Sequence, residues 1–438
     1  MRYLGFLFIL LMGMACGQRN TAEDQGIASE GSGVRDSVDT YFSKLTALKQ
    51  FNGVVLAYQG DEVILHQAYN LQGDTSSTLV TTESQFDIHS VSKLMTHYLL
   101  VQLESEGNLS MDQTLDAFID EFPQGDQITL QMLLDHRSGL PRELTHLEGE
   151  EIDLTPTEII ALAKKEPLLF EPGSDAQYSN VGYELLYEIV AQIYGKPFAQ
   201  CVVDELFVPL HMDHSGVHFY TQDSQITHLA KNHVLKDSKL VKVPNISRDE
   251  FRTARLFSTT SDLKKFLDAV SQEPFASALQ HQGIIQKDGG SRGIRAQVYR
   301  DLNHDFGFVL LANYDEMPFF QAVEDLAKMM KSEPVNYPEE INRKAIEVAE
   351  SVLENYVGAY TFPDFDGLVL EVAIQDGGLV VLQDGEIIAT LQAESPTVFF
   401  EDPKSRESFE FVKNEAGSYD ARMGWKGIVV GGARKRVE

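Results

Sequence analysis

Apolar and polar positions alternate with different periods along the chain, and the changes of period mark out its elements. A helical pattern runs through Tyr41 and Leu45. Two strand-like runs follow, residues 53–58 and 63–68, joined across Gln59-Gly60-Asp61, a hairpin signal. Helical patterns and loops dominate from Ser90 to about Val270, and strand patterns return at 296–299 and 308–311. Strands, a long helical insert and strands again suit an α+β unit with one antiparallel sheet better than alternating βαβ units. Two prolines and several polar residues break the pattern at 331–338, and a helix-like run then continues to Asn355. Beyond it Leu368, Leu370, Val372 and Ile374 alternate with other residues, and Asp376-Gly377 and Asp384-Gly385 supply turns. That alternation predicts a small antiparallel β domain. The expected order is a first domain at 37–333, a linker helix at 334–354 and a β domain at 355–438.

The N-terminal residues follow another rule. Arg2 supplies a positive start, and the apolar run 3–14 is too short to span a bilayer as a stable helix. Residues 1–16 therefore read as a secretory signal peptide. The stretch Gly13-Met14-Ala15-Cys16 is also similar to a lipoprotein signal, in which Cys16 is acylated; cleavage after Ala15 with release is the alternative. Residues 17–36 are small and polar, as in a flexible tether. The chain is thus expected to be exported, to the periplasm or outer membrane, and to touch a membrane only through an N-terminal lipid.

Size and charge narrow the function. At 438 residues the chain exceeds the size at which a single core stops growing, and its 43% apolar content describes a globular protein. A formal net charge of -30 argues against nucleic acid and against charge-driven binding to anionic lipid. A small molecule or short peptide remains the expected partner. Only Cys16 and Cys201 are present, so no intramolecular disulfide survives lipidation or removal of Cys16. Cys201, in an apolar helical stretch, reads as a small core residue.

Three short patterns carry the chemistry. Ser90-Val91-Ser92-Lys93 opens a helix bearing Leu94, Met95, Tyr98 and Leu99, which puts Ser90 and Lys93 on one face, one turn apart. A serine needs an adjacent base, and a lysine can be that base if burial and a helix N-terminus disfavour its ammonium form. The same spacing recurs at Ser261 and Lys264, where a helix cap with an exposed lysine is the plain reading. The second pattern, Tyr178-Ser179-Asn180, precedes an amphipathic helix. A phenol beside two ammonium groups shares its proton readily, so Tyr178 is a candidate relay, and Asn180 can hold a substrate amide or the lysine. The third, Lys287-Asp288-Gly289-Gly290, lies just before an expected strand, where glycines let a substrate approach the backbone.

In that order the patterns resemble the serine β-lactamase-like family, in the branch of class C β-lactamases, D-alanyl-D-alanine carboxypeptidases and related esterases. The likeness runs from about Asp39 to Asn313 and includes His136-Arg137-Ser138-Gly139-Leu140-Pro141, Pro209-Leu210-His211-Met212 and Ser258-Thr259-Thr260-Ser261-Asp262-Leu263. Residues 355–438 are similar to the small β domain often appended to such hydrolases. The resemblance implies an antiparallel sheet flanked by helices, with the site between sheet and helical region. It implies Ser90 as the acylated nucleophile, Lys93 as its base, Tyr178 as the second acid/base, and Asn180 and Lys287 as substrate-orienting groups. The N–H groups of Ser90 and Gly290 would form the oxyanion hole, with no metal or organic cofactor. The implied activity is acyl hydrolysis of an amide, an ester or a D-amino-acid peptide.

Three positions depart from the family pattern. Asp288 stands where a threonine often meets a substrate carboxylate, and would repel one unless Arg292 or Arg295 neutralises it. His89 takes the place of a small residue before Ser90, and His211 that of a glycine. His281-Gln282-Gly283 competes for the third motif, but the glycine spacing favours Lys287. A Ser-His-Asp hydrolase is set aside on the expectation that no Gly-x-Ser-x-Gly elbow is present. His211, His214 and His218 are read as solvent-facing loop residues and not as a metal site. The alternative of a different class is a non-catalytic protein of the same fold that binds cell-wall fragments or a partner.

Overall fold

The run Gly53–Gln59 (β1) is apolar on both faces, and so is Phe306–Ala312 (β8), the signature of strands covered above and below. In the computed structural model they pair as the centre of a five-stranded antiparallel sheet. The sheet order is β2-β1-β8-β7-β6, with β2 at Glu62–Tyr69, β6 at Ile284–Ser291 and β7 at Ile294–Asp301. The structure describes residues 33–71, 79–144, 154–218, 226, 228–236, 239–243, 255–362, 368–383, 385–405, 407–425 and 428–434. The signal, Cys16 and all but the end of the tether lie outside them. The expected tether is shorter than 17–36, because the first helix, α1, already begins at Val34 and runs to Ala47.

The helical insert builds the other half of this unit. Helix α2, Val91–Ser105, is buried nearly all round, as a helix enclosed by others must be. It packs with α3, Asn180–Tyr194, and with β1, β7 and β8 in one core that includes Val54, Met95, Leu99, Leu185, Ile189, Val298 and Val309. A small second sheet, in the order β3-β5-β4, holds Phe86–Asp87 (β3) against Leu256–Ser258 (β5) and Gly216–Val217 (β4). It fixes the strand that leads into Ser90. The third motif lies on strand β6 itself, and not before a strand as expected.

The described residues divide into two compact units, one within 51–315 and the other made of 33–50 with those from Glu316. This differs from the expected division at 333. Helix α1 belongs with the helix Phe319–Met330, and the Tyr41 hydroxyl donates to Asp325 Oδ2 at 2.8 Å. The expected linker helix at 334–354 is also corrected. Only Glu350–Leu353 is α-helical, while the preceding residues are irregular. Pro334 and Pro338 oppose a helix there, and the Arg343 and Ile346 N–H groups bond to the carbonyls of Pro403 and Ala393 instead.

The C-terminal β strands close into an antiparallel barrel of sequential neighbours, from Gly358–Phe362 round to Ile428–Arg434. Closure joins Tyr360 to Arg434 and removes the open edges of the sheet. Tyr356, Tyr360, Phe362, Phe399, Phe409 and Phe411 fill its core, with Tyr356 and Phe411 stacked at 4.1 Å.

Candidate active site

Ser90 stands where strand β3 turns into helix α2. His89, with φ 43°, takes the left-handed conformation that makes this turn sharp. Ser90 occupies the N-cap position but makes no side-chain cap bond to the helix. Its Oγ instead shares a hydrogen bond with the Tyr178 hydroxyl at 2.8 Å and accepts one from Lys93 Nζ at 3.4 Å. Lys93 is buried because α2 is enclosed, and its Nζ lies 5.1 Å from the centre of the Tyr178 ring. Lys287 Nζ lies 5.6 Å from the same ring, and the Arg142 guanidinium 5.4 Å from it. Burial acts to raise the Tyr178 pKa, but the charges of Lys93 and Lys287, with hydrogen bonds from Lys93 and Ser90, outweigh it and bring it below 10. For Lys287, burial favours the neutral amine, and the Asp288 carboxylate and Tyr178 more than compensate, so its net shift is upward.

Strand β6 forms the opposite wall. A Cβ on Gly289 would lie 2.2 Å from the Ile88 carbonyl oxygen and 2.9 Å from the Ser90 nitrogen, so only glycine permits this approach. Ser291 and Ile294 pair across a two-residue turn. In such a hairpin the flanking pair exchanges its hydrogen bonds and the next pair does not, which turns the Gly290 N–H to the outer edge of β6. The motif reads Gly289-Gly290-Ser291-Arg292-Gly293, so a Gly-x-Ser-x-Gly spacing does occur, contrary to the expectation above. It lies on a strand–turn–strand hairpin, whereas a nucleophile elbow needs a strand-to-helix turn. His281, the competing third-motif residue, sits in the turn before β6, with its N–H bonded to the Ile284 carbonyl, and Lys287 is the residue that faces Tyr178.

The loop 136–143 holds Tyr178 and Asn180, and its residues carried no individual role in the sequence reading. His136 packs its ring 4.3 Å from the Tyr178 ring, and its Nδ1 accepts the Ser179 N–H at 3.2 Å. Burial, then the charges of Lys93 and Lys287, pushes its pKa down to about 3. The Ser179 hydroxyl donates to the Pro141 carbonyl at 2.7 Å and caps α3 through the Gly182 N–H. The Asn180 amide donates one of its two N–H groups to Glu143 Oε1 at 2.5 Å. Burial raises the Glu143 pKa, opposed by Asn180, Arg142 and Lys93. No sequence spacing announces these partners; a run of Leu-Pro-Arg-Glu carries no period.

Asp288 is neutralised, but by its neighbour. Lys287 Nζ lies 3.4 Å from Asp288 Oδ1, while Arg295 donates to the Ser291 and Ile294 carbonyls and stands 4.0 Å from Asp315. Arg292 is exposed. Beneath Ser90, Asp87 takes a hydrogen bond from Asn232 Nδ2 at 3.0 Å and bonds to His218 Nε2. His218 is therefore buried, and not the solvent-facing loop residue expected. Burial acts to raise the Asp87 pKa; the His218 bond and the charges of His218 and Arg255 overcome it. Burial, first of several causes, pushes the His89 imidazole down to about 3. The recurrent pair Ser261 and Lys264 is structural. Thr259 caps that helix, and Lys264 pairs with Asp268 at 2.8 Å. Cys201 is buried, its Sγ directed to the Lys196 carbonyl.

Comparison with known proteins fits this geometry. The chain is 26% identical over 422 residues to Penicillin-binding protein 4* of Bacillus subtilis, an alignment that covers 84% of this chain and 91% of that one. It is 23% identical over 252 residues to a Staphylococcus aureus teichoic acid D-alanine hydrolase, covering 57% of this chain and 62% of that one. The crystal structure of a D-amino acid amidase from Ochrobactrum anthropi superposes with a TM-score of 0.58 at 19% identity, over 68% of this chain and 99% of the other. Residues 38–282 match the sequence model of the family described as Beta-lactamase, and with more than half of its length so matched the chain belongs to that family.

Proposed function

We propose that this protein is a serine acyl-hydrolase that forms an acyl-enzyme on Ser90. The observation that carries the reading is the contact of Ser90 Oγ with both the Tyr178 hydroxyl, at 2.8 Å, and Lys93 Nζ, at 3.4 Å. Ser90 attacks a carbonyl whose oxygen lies between the N–H groups of Ser90 and Gly290. The Ser90 proton passes through Lys93 and Tyr178 to the leaving oxygen or nitrogen as the carbonyl–leaving-group bond breaks. The two N–H groups stabilise the oxyanion as it develops. Water, deprotonated by the same pair, then cleaves the ester and returns the proton to Ser90. Lys287 holds Tyr178 in a positive field. This chemistry serves an amide, an ester or a D-amino-acid peptide, and relatives named for penicillin binding and for teichoic acid D-alanine hydrolysis lie within that range. Export through residues 1–16, with Cys16 as the lipid anchor, belongs to the same proposal.

A non-catalytic binding protein has no use for the convergence of Ser90, Lys93, Tyr178 and Lys287 on one point. The test is intact-mass spectrometry after brief exposure to a penicillin, a p-nitrophenyl ester and a fluorophosphonate, beside Ser90→Ala. A mass gain lost in Ser90→Ala is expected. Full turnover by Ser90→Ala, or no adduct with any reagent, would overturn the assignment.

A further inference from the structure

The two N–H groups assigned above to the oxyanion belong to separate elements, Ser90 to the turn between β3 and α2 and Gly290 to strand β6. The Gly289 backbone meets the Ser90 turn so closely that a Cβ would fall 2.2 Å from the Ile88 carbonyl oxygen. That contact stops the two walls from closing further. Dispersion across it is weak and fades within an ångström, so it resists opening very little. Hydrogen bonds supply that resistance.

One short segment, 231–233, reaches both walls. Asn232 is buried, and its Nδ2 donates to Asp87 Oδ2 at 3.0 Å, three residues before Ser90. The other oxygen of Asp87 is taken by His218 Nε2, so the carboxylate is held from two sides. The next residue, His233, lies against Gly293, three residues after Gly290. A Cβ on Gly293 would fall 2.9 Å from the His233 carbonyl oxygen and 3.0 Å from its nitrogen, and Gly293 has φ 79°. The segment is anchored in turn to the end of β8. Asn313 accepts the His233 N–H on its carbonyl at 2.9 Å and donates its Nδ2 to the Lys231 carbonyl at 2.8 Å. Asn52 holds the Asn313 side-chain oxygen at 2.6 Å.

We infer that Asn232 is a positioning residue of the hydrolytic site: with His233 it ties the turn that carries Ser90 to the hairpin that carries Gly290, and so fixes the gap between the two N–H groups. This rests on the acyl-hydrolase reading above. Asn232 touches no reacting atom. Loss of its bond to Asp87 frees the Ser90 turn to drift from β6, and a transition state held by two donors then keeps a good fit to only one.

The test measures the second-order rate of Ser90 labelling in the full chain by a fluorophosphonate and by its counterpart with P=S in place of P=O. The phosphonyl oxygen takes the place of the oxyanion, and sulfur is a larger and weaker acceptor, so the ratio of the two rates reports the fit to the donors. Both reagents sample the same folded fraction, so the ratio does not follow stability. In Asn232→Ala the P=O rate is expected to fall by about 10²-fold and the ratio by about tenfold. The exchanged pair Asp87→Asn/Asn232→Asp restores a donor and an acceptor across the same gap and is expected to recover most of the ratio lost in Asp87→Asn alone. Where Asn232→Ala does not fold, Asn232→Ser makes the same comparison. An unchanged ratio in the Asn232 variant overturns the inference even if both rates fall, and so does an exchanged pair no better than Asp87→Asn. Either result leaves Ser90 labelled and the hydrolase reading intact, whereas absence of any Ser90 adduct in the parent overturns both.

Discussion

The hydroxyl groups of Ser90 and Tyr178 share a hydrogen bond of 2.8 Å although 88 positions separate them in sequence. Lys93 Nζ lies 5.1 Å and Lys287 Nζ 5.6 Å from the centre of the phenol ring, and the surrounding charge draws its pKa down. In the proposed mechanism that lowered pKa lets Tyr178 exchange a proton more readily than a free phenol.

The first prediction concerns that field. A cation near the phenol favours phenolate, so Lys287→Met removes a term that lowers the Tyr178 pKa and moves it upward. The alkaline-side rise of the acylation rate with pH is expected to shift to higher pH in Lys287→Met and to vanish in Tyr178→Phe. Tyr178→Phe and Lys93→Ala should each cost about 10²–10⁴-fold in kcat. The double variant should fall far short of their product, because the two act as one unit. A pH profile of kcat/KM for each variant checks this.

The second concerns Gly289. An alanine there must displace the backbone at Ile88, since the new Cβ would lie 2.2 Å from its carbonyl oxygen. Gly289→Ala is expected to destabilise by about 1–3 kcal/mol, as overpacking does, and to slow acylation. At Gly290 the nearest atoms are Arg295 Nη1 and the Ile294 carbonyl oxygen, each 3.2 Å away, contacts that a shift of a few tenths of an ångström relieves. Gly290→Ala should cost less stability. Denaturant titration of both variants, paired with burst-phase acylation, separates the two positions.

His136 supports Tyr178 from behind. Its folded pKa of about 3 lies below its unfolded value of 6.5, so the unfolded chain binds more protons between those pH values. The stability contributed by the neutral ring is complete above pH 6.5 and is lost as pH falls toward 3. His136→Gln should flatten the acid side of the stability profile relative to the parent. It should also lower kcat by about 10²-fold through misplacement of Tyr178, with little change in KM.

Asp87 lies under the turn that presents Ser90 and bonds to His218 and Asn232 in full burial. Removal of the Asp87 carboxylate leaves the buried hydrogen-bonding groups of His218 and Asn232 unsatisfied, so Asp87→Ala is expected to destabilise by about 1–3 kcal/mol. Its folded pKa is depressed, so the contribution of Asp87 is present above pH 3.8 and lost as pH falls through the lower folded value. Urea unfolding at pH 7 and pH 3, parent against Asp87→Ala, measures both effects.

Local pattern announced much of this protein. The strands at 53–58 and 63–68 appear as β1 and β2, and the alternation after Leu368 appears as barrel strands, because period and turn chemistry are short-range properties. The pairing of Ser90 with Lys93 was legible for the same reason, since residues one helical turn apart share a face wherever the helix lies. The run 334–349 misled. Its apolar spacing suits a helix, yet its backbone hydrogen bonds go to Pro403 and Ala393, residues that no local rule brings near.

The sequence by itself determined the first hairpin, the helix that carries Ser90 and Lys93, the alternating strands after Leu368 and the order of the three motifs. Tertiary structure decided what each motif meets. Asn180 is engaged by Glu143, Asp288 by Lys287, His218 by Asp87, and Tyr178 is seated on His136. The division has a physical cause. Helical and strand periods come from backbone geometry repeated over a few residues, whereas charge pairing depends on distances in space that packing of the whole core sets.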